Sequence, residues 1–227
     1  MASSDETVLP AARHEYEHEH AGWLTGGGTT GNERLTTVVG ATLIVLLAVI
    51  GVTIVRIHGL LSVHLFVGML LIPPVLLKLS STGYRFARYY TANPRYRRKG
   101  PPPLALRMLA PLVVLSTLVV LGSGVVLLFV GPSARPTWFP IHKDSFFVWV
   151  ALMAVHVLGH LPAMPAVLRA DYGRADEFSS DVTGRAGRVL ALAGALVAGV
   201  VLAILVIPDF SAWTSGSGVF HLFHHAR

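Results

Sequence analysis

The 227-residue chain contains no cysteine. That absence removes disulfides, thiolate-held iron–sulfur clusters, cysteine-ligated haem or zinc, and the Cys-x-x-Cys-His attachment of c-type haem. Charge is also scarce: 13% of residues are charged against 53% hydrophobic, and mean hydropathy is +0.61. A soluble globular domain does not carry such a balance. Carboxylates are missing from the interiors of the apolar stretches and no internal repeat is evident, which ranks solute or proton transport last among the readings. Nothing resembles a hydrolytic nucleophile elbow with its acidic partner. Residues 1–34 lack the basic, apolar, small-residue order of a secretory leader, so no processed leader is expected.

What the chain does have is length in its apolar runs. Five stretches, near residues 35–56, 59–79, 104–131, 143–163 and 187–207, reach the roughly 20 residues that a membrane-crossing helix needs. The expected fold is an all-α integral membrane bundle of five helices. The formal net charge of +6 then records topology rather than nucleic-acid binding. Arg85, Arg88, Arg95, Arg97, Arg98 and Lys99 follow the second stretch with no acidic residue among them, which assigns that loop to the cytoplasm by the positive-inside rule. The expected organisation is a flexible cytoplasmic tail over residues 1–34, a four-helix core over 35–165, a cytoplasmic loop over 166–186, a fifth span over 187–207 and an extracytoplasmic tail over 208–227. Pro73–Pro74 should kink the second span, and Pro111 can bend the third.

Histidines are the candidate functional residues. His142, His156 and His160 lie along the fourth stretch and His64 lies inside the second. Coordinating side chains within a span are costly and usually functional. The fourteen-residue step from His142 to His156 returns the side chain to within roughly 40° of the same helix face and moves it about 21 Å along the axis. His64 and His142 fall at similar depths in spans running the same way, so imidazoles from two facing helices can take the two axial positions of one haem iron, on the outer side.

His58 competes with His64, but six residues place the two about 240° apart on the helix. His58 is expected at the interface, with Arg56, near a haem propionate; Arg135 and Lys143 are further candidates for propionates or an acidic partner. Gly51, Gly68, Gly122 and Gly124 are small enough to line the path of a flat macrocycle. At the inner level of His156 and His160 the second span carries Lys78, fourteen residues below His64, which is suited to snorkelling or to holding a propionate. His156 and His160 at i, i+4 also resemble half of a zinc site. The tail histidines, His14, His18 and His20 and then His221, His224 and His225, are read as solvated or surface tracts.

His64 with Gly68 in the second span, and His142 with His156 in the fourth, resemble the bacterial four-helix cytochrome b family, which includes membrane subunits of formate dehydrogenases and nickel–iron hydrogenases and the flavinylation-associated cytochromes. The resemblance covers roughly residues 35–165. It implies one or two b-type haems, with His142 as an outer ligand and His156 as an inner one. It also implies electron transfer between quinone or another membrane carrier and an extracytoplasmic or membrane redox partner, as a subunit rather than a stand-alone enzyme. The first span begins Asn32-Glu33-Arg34-Leu35-Thr36-Thr37 and offers no histidine where di-haem members carry the inner ligand, so a second haem has no visible partner residue. The competing reading is a haem-free membrane anchor for a partner enzyme, in which the same histidines are packing residues.

Overall fold

The computed structural model describes residues 28–91, 104–172 and 184–214. They form helices α1 (Gly28–Val55), α2 (Ile57–Tyr90), α3 (Leu104–Phe129), α4 (Arg135–His160), α5 (Met164–Tyr172), α6 (Arg185–Leu205) and α7 (Ser211–Thr214), with 3-10 turns at Leu161–Ala163 and Ile207–Phe210. No strand occurs among the described residues. The helices α1, α2, α3, α4 and α6 are long and apolar enough to cross a membrane, and the chain is a multi-pass membrane protein. Helix is the form these sequences take because lipid offers no partner for backbone N–H and C=O groups. The hydroxyls inside the spans obey the same constraint within their own helices. Thr42 donates to Val38, Thr53 to Ile50, Thr117 to Val113 and Ser123 to Val120, each to a backbone carbonyl.

Boundaries differ from the sequence expectation where polar residues or proline extend an apolar helix. α1 begins at Gly28, inside the stretch expected as tail, and α2 runs eleven residues past the expected end at residue 79. α4 starts at Arg135 rather than 143, with Pro136 in its first turn, where a missing N–H costs nothing, and Pro140 inside it. Pro73 and Pro74 lie within α2, yet its non-helical dihedrals fall at Leu60 (φ −121°, ψ 20°), just after the α1–α2 corner. The residue-166–186 loop is helical as far as Tyr172, and the expected C-terminal tail opens with the Ile207–Phe210 turn and α7. The tail histidines and Arg95, Arg97, Arg98 and Lys99 lie outside the described residues.

Packing divides the spans into a trio, α1–α2–α6, and a hairpin, α3–α4. Val39, Leu43 and Ile50 of α1 interlock with Val67 and Leu71 of α2. α6 approaches α2 so closely that a Cβ on Gly199 would stand 2.4 Å from the Leu70 carbonyl oxygen. In the hairpin, Trp149 Nε1 donates to Thr117 Oγ1 at 2.9 Å, and Gly159 accommodates the Leu106 side chain. The two halves join through Met69 of α2, Leu127 and Leu128 of α3, Ala203 of α6 and the following Val206, Phe210 and Trp213. Arg135 closes this end: its guanidinium donates to the Ala212 carbonyl at 2.8 Å and lies 4.0 Å over the Trp213 ring.

Candidate functional site

His64 lies two turns into α2 and His142 two turns into α4. The helices carrying them have no extended contact of their own, α4 packing along its length on α3. The side chains nevertheless reach across the interval between the halves, and the two ring centroids lie 6.4 Å apart with planes at 76°. Both imidazoles are partly buried. The similar depth read from span positions therefore corresponds to side-chain proximity.

Each ring is held by one nitrogen, and the same one. His142 Nδ1 lies 3.0 Å from the Val120 carbonyl oxygen and 3.3 Å from Ser123 Oγ. A carbonyl only accepts, so Nδ1 carries the proton and donates, which leaves the Nε2 lone pair of the neutral ring available. His64 Nδ1 lies 3.0 Å from Thr53 Oγ1. Thr53 spends its own proton on the Ile50 carbonyl at 2.7 Å, so its oxygen accepts from His64 Nδ1, and Nε2 again keeps its lone pair. Metal-ligating histidines are oriented by this type of bond from the second ring nitrogen.

Two glycines stand beside the rings. A Cβ on Gly124 would come within 2.9 Å of His142 Cε1, so the absent side chain is what lets that imidazole lie against α3. Gly68, one turn below His64, has nothing within 4 Å of its Cβ position. Gly51 and Gly122 are exposed, and Gly51 borders a surface groove of about 630 Å³ with Val52, Val55 and Arg56.

His58 is exposed at the corner between α1 and α2 rather than beside His64. Arg135 donates to the Ala212 carbonyl and lies over the Trp213 ring, and Lys143 lies 3.7 Å from Asp144 on the surface. At the other end of α4, the His156 and His160 rings lie 4.8 Å apart. No imidazole from another helix joins them among the described residues, since His58 and His64 stand in the first turns of α2, far along the axis. Lys78 donates instead to the Thr36 carbonyl at 2.6 Å. Sequence reasoning missed Thr53, Val120 and Ser123, whose roles depend on how α1 lies against α2 and α3 against α4.

Comparison with protein-family models, with curated proteins and with solved structures finds no match to this chain.

Proposed function

We propose that the chain is a b-type cytochrome subunit that holds one haem between His64 and His142 and passes electrons between a quinone or other membrane carrier and a redox partner outside the cytoplasm. The observation that carries this reading is the pair of facing imidazoles from two different helices, each with Nδ1 satisfied and Nε2 available. One metal ion held by a nitrogen of each ring, at about 2 Å per bond and about 1.1 Å from each nitrogen to its ring centre, would need a centroid separation of roughly 6 Å. The 6.4 Å between His64 and His142 fits that requirement. Two imidazoles alone fall short of the three or four protein ligands of a zinc site, whereas a porphyrin brings the remaining nitrogens itself.

When bound, haem supplies reversible one-electron transfer at iron. The chain's own residues do the positioning. Thr53 and the Val120 carbonyl fix both rings in one tautomer, Gly124 and Gly68 keep bulk away, and the apolar spans exclude water from the interval between the halves. No imidazole from another helix joins His156 among the described residues, so this reading commits to a single haem. The arginine-bearing end of α2 is assigned to the cytoplasm, which places the N-terminus inside, the His64–His142 level towards the outer face and the C-terminus outside, in the cell membrane.

Titrating haem into purified apoprotein tests the proposal. Saturation at one equivalent per chain, with no binding by His142→Ala, is the expected result. A wild-type chain that binds no haem would leave the anchor reading instead.

A further inference from the structure

The far end of the interval between the halves carries a second cluster that the haem reading does not use. Lys78 and Arg85 come from α2, His156 and His160 from the last turns of α4. Lys78 acts electrostatically on both histidines, and Arg85 on His160. The described charges acting on the imidazole pair are cationic. Lys78 Nζ is steadied by the Thr36 carbonyl at 2.6 Å, over Gly40, whose Cβ would stand 3.0 Å from it. A carbonyl anchors an ammonium without neutralising it, and leaves it further N–H donors. His156 Nδ1 is buried with no hydrogen-bond partner among the described residues.

Depth decides what such a cluster meets. From Ile57 to Lys78 the helix rises about 31 Å, which matches the roughly 30 Å hydrocarbon core. With the α1–α2 corner taken at one face of the hydrocarbon core, Lys78 falls at the other, with Arg85 about 10 Å beyond it and His160 exposed at the end of α4. Basic pockets between membrane helices at this level suit anionic headgroups, and arginine matches phosphate oxygens with paired donors.

We propose that Lys78, Arg85 and the His156–His160 pair form a binding site for the phosphate of an anionic phospholipid. The lipid phosphate supplies negative charge to these cationic groups at the arginine-bearing end and a partner for His156 Nδ1.

The test is the thermal midpoint of the delipidated full-length protein in detergent, measured with phosphatidylglycerol, phosphatidylcholine or inorganic phosphate. Phosphatidylglycerol should raise the midpoint, as a ligand of the folded state must, and the other two should not. The shift should disappear in Lys78→Met and fall by at least half in the double variant Arg85→Gln/His160→Gln, with the fold of each variant checked by circular dichroism. It should persist in His64→Ala, which removes the proposed haem ligand. Equal shifts from both lipids, a shift of the same size from inorganic phosphate, or an undiminished shift in the double variant would overturn the site. So would a second haem bound through His156.

Discussion

Gly124 lies directly against the His142 imidazole, at a distance that admits no side chain: a Cβ there would reach 2.9 Å from Cε1 and 3.3 Å from Nδ1. One missing methyl on α3 thus sets where a ring on α4 can rest. Gly124→Val is expected to displace the imidazole from the Val120 carbonyl and abolish haem binding while helix content, followed by circular dichroism, is retained. Gly122→Val, where nothing lies within 4 Å, is expected to bind as wild type.

Thr53 is fully buried and bridges the Ile50 carbonyl to His64 Nδ1. Thr53→Val keeps the shape and removes the acceptor. Outer partners of a ligating histidine typically contribute about 10–100-fold in affinity, so haem titration should show a loss of that order in Thr53→Val and near-complete recovery in Thr53→Ser.

The α2–α6 contact rests on Gly199. Gly199→Ala forces a methyl against the Leu70 backbone, which cannot yield as a flexible side chain would. Overpacking of this kind costs about 1–3 kcal/mol, to be read as a lowered denaturation midpoint. Gly194→Ala, on the same helix with nothing within 4 Å, should leave the midpoint unchanged.

Trp149 and Thr117 pin the hairpin with a buried hydrogen bond of 2.9 Å. A double-mutant cycle of Trp149→Phe and Thr117→Val should return a coupling of about 0.6 kcal/mol, the average for such bonds between membrane helices. A coupling of zero would mean that apolar packing alone holds α3 to α4.

Much of this architecture can be read from the residues in order, and particular elements show where that reading stops. Apolar length finds five spans, and counting residues down two spans of the same direction brings His64 level with His142. Hydropathy does not reveal that α2 continues to Tyr90, because its last turns are polar helix beyond the apolar run. Pro136 and Pro140 read as loop residues, although one suits a first helical turn and the other is carried within α4. The partners that orient the histidines come from neighbouring helices, and the rotation of each helix about its axis is set by tertiary packing that no single segment encodes. Gly51, Gly68 and Gly122 look equivalent to Gly124 in sequence; only the facing helix shows that Gly124 is the one of the four against an imidazole.

The most direct measurement is the reduced-minus-oxidised absorption spectrum of the purified protein, recorded for wild type, His64→Ala, His142→Ala and His58→Ala. The account predicts Soret and alpha bands of a b-type haem in the wild type and in His58→Ala, and their loss in both His64→Ala and His142→Ala. A colourless wild type, or an undiminished spectrum in either of those two variants, would contradict the shared metal centre.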